Sequence, residues 1–246
     1  MTQYTAFSSV ERPMNEDARW KITQEAWVPF MLEDDFASLY WDRMMAEFAD
    51  FQFGVYEGDT LIACGNSIPV VWDGGELPDS GWDWAMESAF EAKDAGVPHN
   101  TLCAISINIA LSHMGKGVSK HAISAMRNIA QKHGFSALIA PVRPNMKSAY
   151  PLTPMERYIT WKHTDDESPF DPWLRTHWRA GARIVKVAPD SMRISGTLAD
   201  WEKWAGMRFP ESGEYLVPGA LNPIKVDVER DQAVYIEPNV WMLHTV

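Results

Sequence analysis

Two glycines and a lysine stand together in Met114-Gly115-Lys116-Gly117-Val118-Ser119, directly ahead of an amphipathic stretch. Without Cβ atoms to obstruct them, successive backbone N–H groups at such glycines can turn toward one point. A helix starting at Val118 adds unpaired first-turn N–H groups and the positive end of its dipole, so the segment suits a phosphate. The spacing excludes a P-loop, because Lys116 falls between the glycines and is followed by Gly117, and a dinucleotide fingerprint, because position 120 is Lys. Taken alone, the glycines are equally a tight structural turn.

The surrounding charge favours an anionic ligand. From Ala95 to Met155 there is no Asp or Glu, yet Lys116, Lys120, Arg127, Lys132, Arg143 and Lys147 are all present, in a chain of net charge −11. Burial would thin charges of both signs, so the retained cations point to negative charge on a partner. The acidic remainder argues against nucleic acid or an anionic membrane as partner, since both demand a basic surface.

The elements that would hold this turn follow from periodicity. Residues 101–109 alternate Cys103, Ile105, Ile107 and Ile109 with smaller or polar residues, which reads as a central strand with those four on one face. Val118 to Lys132 carries an apolar stripe of Val118, Ala122, Ala125, Met126 and Ile129 and ends at Gly134, the pattern of an amphipathic helix. FSALIAPV then gives a second strand, completing a βαβ unit with parallel strands and right-handed crossover. Upstream, Asn15 and Asp35 open two helices, a hairpin turns around Glu57-Gly58-Asp59, and Trp82 to Asp94 forms a further helix. Downstream come a long loop to about Ser168 with a short helix near Met155, a helix from Pro172, the strand ARIVKVA, a Trp-rich helix at Leu198 to Trp204, and strands at Ile224 to Val228 and Val234 to Ile236.

With this order in place, the chain resembles the GNAT superfamily of acyl-CoA-dependent N-acetyltransferases. Its signature, [QR]-x-x-G-x-[GA] opening a helix after a central strand, overlays Met114 to Ser119, with Met114 at the Arg/Gln position and Ser119 at the Gly/Ala position. A second family segment is matched by Asn145, Ser148 and Ala149, and its Tyr-x-x-x-Gly-Phe helix end by His177 to Ala182, displaced by an insertion of roughly twenty residues. The resemblance implies an α/β fold of GNAT type, a central mixed sheet with helices on both faces. It implies one domain over 1–246, with an insertion at about 151–169 and an extension from about 190.

It also implies function: transfer of an acetyl group from acetyl-CoA to the amine of a small-molecule acceptor, without a metal. The alternative is a catalytically silent acyl-CoA-binding module. Coenzyme A would lie in a cleft between the 101–109 and 136–142 strands. Its pyrophosphate would meet Met114, Gly115, Lys116, Gly117, Val118 and Ser119, its pantetheine arm the strand at Ile107, Ile109 and Leu111, with Asn145 and Ser148 beside it. His177 stands at the position of the family tyrosine that protonates the departing thiolate, and an ordinary imidazole pKa of about 6.5 would suit that role. Tyr150 is the rival acid. Glu33, Asp34, Asp35 or a water chain would supply the base.

Other features have plainer readings. Cys64 and Cys103 sit in apolar runs as reduced core thiols, and the twelve tryptophans have spacings of core and rim packing. The seven histidines form no H-x-x-x-H pair. The first twenty residues lack a basic region followed by an apolar stretch, which reads as a cytoplasmic protein. The late strands either complete the sheet or build a homodimer contact.

Overall fold

The computed structural model describes residues 4–246; Met1–Gln3, at the head of the stretch read for a leader, lie outside them. In chain order the elements are β1 (Tyr4–Ser8), α1 (Glu16–Ala26), α2 (Asp35–Glu47), β2 (Phe53–Glu57), β3 (Thr60–Val70), α3 (Gly81–Asp94), β4 (Thr101–Ile109), α4 (Val118–Lys132) and β5 (Ala137–Val142). There follow α5 (Met155–Tyr158), α6 (Pro172–Arg179), β6 (Arg183–Gly196), α7 (Leu198–Ala205), β7 (Gly213–Tyr215), β8 (Ile224–Asp227) and β9 (Gln232–Thr245). Asn15 and Asp34 cap α1 and α2 through side-chain oxygens, and Asp171 caps α6 by accepting from Trp173 and Leu174 N–H.

The strands form one mixed sheet in the order β1-β2-β3-β4-β5-β9-β8-β7, with β6 also paired to β9. Among the described strands only β4 and β5 run parallel, as the crossover through α4 requires. The late strands therefore complete the sheet: along one edge β9 pairs first with β8 and then with β5, and along the other it pairs with β6. Helix α4 packs against β1 to β5, whereas α3 packs on β3, β4, β6 and β9, giving the sheet helices on both faces. A core of aromatic and aliphatic side chains from Phe30 to Trp241 fills the α3 side and continues under α4, and a smaller cluster joins α5 and α6 to β5 and β9.

The register shifts at four places among the described strands, and two of these irregularities bear on the site. Opposite Asn66 and Ser67 of β3, β4 offers Ser106 and Ala104, so Ile105 is an extra residue, a β-bulge. The alternation expected along 101–109 breaks there. Cys103 and Ile105 stay in the core, but Ile107 and Ile109 are only partly buried, and Asn108 takes the buried position, accepting from the Trp27 indole at 2.9 Å. The second irregularity lies between β6 and β9, where the register jumps from Ala188↔Asn239 to Met192↔Glu237 around Pro189 and Pro238. Proline is tolerated inside a sheet at such bulges, which is why both strands run far beyond the segments their sequences suggest.

The interior near that second bulge is unusually acidic. Asp34 and Glu237 are fully buried and Asp83 nearly so, and one carboxyl oxygen of Asp34 and one of Asp83 have no hydrogen-bond partner. Burial and mutual repulsion raise Asp34 to about 6 and Asp83 to about 8. A carboxyl whose folded pKa lies above its unfolded value binds more protons when folded. Its cost is therefore absent below about pH 4, grows as pH rises, and is fully felt once the folded pKa is passed. Asp83→Asn keeps an oxygen to accept from Arg193 N–H while removing the charge. It should raise Tm by a few degrees at pH 8.5 and least near pH 4, at roughly 2–4 °C per kcal/mol relieved for a chain of this size. Thermal melts across pH check this; an equal gain at both ends would exclude ionisation as the cause.

Candidate functional site

The parallel pairing of β4 with β5 stops after two register pairs, Leu102↔Leu138 and Cys103↔Ile139, although both strands continue. Beyond Ala104 they diverge, and a cavity of about 640 Å³ opens in the gap. Its walls come from β4 (Ala104 to Ile109), the end of β5, the loop carrying Arg143 and Asn145, the start of α4, and α6. The α3 side adds Trp27, Trp82, Met192, Glu237 and Asn239. A second hollow of about 460 Å³ between β1 and α4 shares none of these residues.

At one mouth of the cavity lies the glycine turn. Gly115 and Gly117 have φ of +73° and +81°, in the left-handed region that favours glycine. No side chain caps α4: Gly117 is its N-cap residue, and among the described residues nothing accepts from the N–H groups of Gly117, Val118 and Ser119. Met114, Gly115 and Ser119 line the cavity, Lys116 and Gly117 are exposed beside it, and the Val118 side chain is in the core. Lys116 and Lys120 form no ion pair among the described residues.

The other cations of the basic segment have internal tasks. Arg127 donates to the carbonyls of Ala180 and Thr245, and Lys132 approaches Glu11 at 3.8 Å. Lys147 is fully buried, donating to the carbonyls of Tyr150 and Leu221, and desolvation lowers its pKa to about 8. The charge excess is thus only partly aimed at a ligand.

Ile107, Ile109, Leu111 and Asn145 all face the cavity, as does His177. Ser148 and Tyr150 do not line it; Tyr150 packs its ring among Tyr158, Trp161 and Phe170. His177 departs from the ordinary behaviour expected of it. It is buried, T-stacked on Trp173, and its Nδ1 lies 3.0 Å from Nε2 of His244. Desolvation, helped by His244, lowers its pKa to about 3, and His244 is lowered to about 4. Both rings are uncharged at neutral pH, sharing one proton along their hydrogen bond.

Several wall residues carry no signature in sequence. Glu33, Asp34 and Asp35 do not line the cavity; its acids are Glu25, whose carboxylate accepts from Leu111 N–H at 3.3 Å, and Glu237. Glu237 accepts from Arg143 Nε at 2.9 and 3.1 Å, from the Tyr235 hydroxyl at 3.0 Å and from Asn239 at 3.1 Å. Asn239 in turn accepts from Ser191 at 2.7 Å. The visible hint was Glu237-Pro238-Asn239 interrupting an otherwise apolar run, a polar triple in a strand otherwise fit for the core. Among the described residues no group of three or more His, Cys, Asp or Glu is placed to hold a metal ion, and no helix is long and apolar enough to cross a membrane.

No family model matches the chain. It is similar to the arginine N-acetyltransferase avaD of Aspergillus versicolor, with 33% identity covering 89% of this chain and 85% of the relative. Among solved structures it is similar to the loading GNATL domain of CurA from Lyngbya majuscula, at TM-score 0.64 and 18% identity, covering 99% of this chain and 98% of that one. It is also similar to the GphF GNAT-like decarboxylase in complex with isobutyryl-CoA, at TM-score 0.58 and 12% identity over 99% and 98% of the two chains. These structures share the fold, and the match to the arginine N-acetyltransferase extends over most of both chains. The chain belongs to the GNAT superfamily and is an acyl-CoA-dependent N-acetyltransferase.

Proposed function

We propose that the enzyme transfers the acetyl group of acetyl-CoA directly to an amine of arginine or of a closely similar cationic small molecule. The observation that carries this reading is a cavity that joins two unlike ends through the β4–β5 gap. One end has a glycine turn, free N–H groups and unpaired lysines; the other has the buried carboxylate of Glu237. The pyrophosphate of the donor meets the backbone of Met114 to Ser119, and its pantetheine arm runs along Ile107, Ile109 and Leu111 past Asn145. Ser148 and Tyr150, off the wall, have no part in it.

The acceptor enters from the α3 side. Glu237 on the wall and Asp34 and Asp83 buried beyond it outnumber the one cation of this wall, Arg143, so this end attracts positive charge, and the named relative's acceptor, arginine, is of that kind. The amine nitrogen attacks the thioester carbonyl, forming the C–N bond; the C–S bond breaks, the nitrogen gives up a proton, and the sulfur gains one. Holding both partners in one cavity makes the attack effectively intramolecular, which is worth several kcal/mol of barrier. Glu25, the cavity acid not paired with Arg143, receives the amine's proton through water. His177, uncharged at rest, serves as a relay to the sulfur: it takes up a proton during the step rather than storing one.

Three measurements test the reading. Thiol release from acetyl-CoA should depend on arginine, with simple neutral amines far slower; CoA binding without turnover on a broad amine panel would favour a silent binding module instead. Gly117→Glu should reduce acetyl-CoA affinity at least tenfold with far-ultraviolet circular dichroism near wild type. A Cβ there meets open space, so the loss would come from the carboxylate beside phosphate and from the positive φ. Undiminished binding removes the cradle. His177→Ala should lower kcat at least tenfold while changing the acetyl-CoA KM little. Unchanged kcat moves the proton to water.

A further inference from the structure

Arg143 is the one cavity-lining arginine or lysine among the described residues, and the proposed transfer gives it no task with the donor or with the acceptor amine. It stands one residue past β5, where its guanidinium is fixed on two sides. Nε donates to both oxygens of Glu237, and Nη2 donates to the carbonyl of Gly219. Nη1 donates to no described residue, and the guanidinium carbon lies 6.0 Å from the Trp27 ring centroid, at the cavity wall. Glu237 is itself fully buried and held by Tyr235 and Asn239, so the fork does not swing. A chain of four polar side chains, Ser191, Asn239 and Glu237 buried and Arg143 at the wall, therefore ends in the two N–H bonds of Nη1.

A guanidinium aligned in this way recognises a carboxylate. The Glu237 partner cancels most of its net charge, so Arg143 does not make the acidic end attractive to free anions. It offers directed donors to an anion that arrives already attached to a cation. We propose that Arg143, positioned by Glu237, binds the carboxylate of the acceptor through Nη1, and that the enzyme thereby selects amino acids over the corresponding simple amines. This rests on the cationic-acceptor reading and narrows it: the substrate is a zwitterion with a further positive charge. Arg143 is a specificity residue and Glu237 a positioning residue; neither takes part in bond making.

The probes are arginine, its decarboxylated analogue agmatine, and argininamide, which keeps the amine and guanidinium but loses the negative charge. In the wild-type enzyme kcat/KM for arginine should exceed that for the other two by about 10- to 100-fold, the range expected for hydrogen bonds to a charged group. Arg143→Gln leaves Glu237 buried without its partner and risks misfolding. The double variant Arg143→Gln with Glu237→Gln removes both charges together. In it the arginine-to-agmatine ratio should fall toward one, with the acetyl-CoA KM unchanged, and Arg143→Lys should restore part of the ratio.

Equal use of arginine and agmatine by the wild type, or an unchanged ratio in the double variant, would overturn the proposal while leaving the cationic-acceptor reading in place. A raised acetyl-CoA KM in the double variant would overturn it too, by moving Arg143 to the donor. If calorimetry on the CoA-bound protein detected neither arginine nor agmatine, and neither were acetylated, the acceptor reading itself would fall and this inference with it.

Discussion

The separation of β4 from β5 after two paired residues is the constraint on which the site depends. A strand edge in the middle of a sheet presents N–H and C=O groups that must find partners. Here the fold settles only part of that demand: the Trp82 indole donates to the carbonyl of Ile105, and Glu25 accepts from the N–H of Leu111. The edge between them is left to whatever occupies the cavity. An extended chain bearing amide groups, as a pantetheine arm is, meets that need in the manner of an added strand. The protein thus gives up sheet continuity at its centre to open a slot, and it closes the sheet again by pairing β5 with β9.

Two bulges aim side chains into that slot. The extra residue at Ile105 rotates the last half of β4, so Ile107 and Ile109 become wall and Asn108 is pinned by Trp27. The proline-flanked bulge between β6 and β9 sets Glu237 and Asn239 on the opposite wall and lets Ser191 bind Asn239. Removing one partner of a buried pair such as Arg143–Glu237 typically costs about 3–5 kcal/mol, more than replacing both. That asymmetry makes the pair an anchor for the local geometry, whatever its net contribution to stability.

How much of this was legible in the sequence depended on how local its cause was. The glycine turn, α4 and the flanking strands are dictated by neighbours in sequence: glycine at positive φ, a stripe at helical spacing, runs fit for strands. The GNAT-type α/β fold followed from those. Strand β1 was missed because Tyr4–Ser8 is short and its pairing with β2 is distant in sequence. The long courses of β6 and β9 were hidden because Pro189 and Pro238 read as breaks, and only their mutual register makes a bulge of them. The surroundings of the acids and the arginine on the α3 side were hidden for the same reason: Asp34 caps α2, Asp83 lies in α3, and Arg143 meets Glu237 only because β5 pairs with β9. His177 was legible as a residue but not as an environment, since its partner His244 is distant in sequence.

The histidine pair and the acid cluster share a logic. In each, a titratable group is held away from its ordinary pKa by burial, toward the uncharged form. For His177 this removes a stored proton and leaves a ring that can relay one. For Asp34 and Asp83 it leaves carboxyls that are partly protonated near neutrality, each with one oxygen that no described residue satisfies. Neither lines the cavity, so a cation bound there acts on them across the wall, favouring their charged forms. At Asp83 the sequence has kept an ionisable group whose cost rises with pH. That choice is intelligible if the cluster serves the acceptor, because packing alone would favour a neutral side chain there.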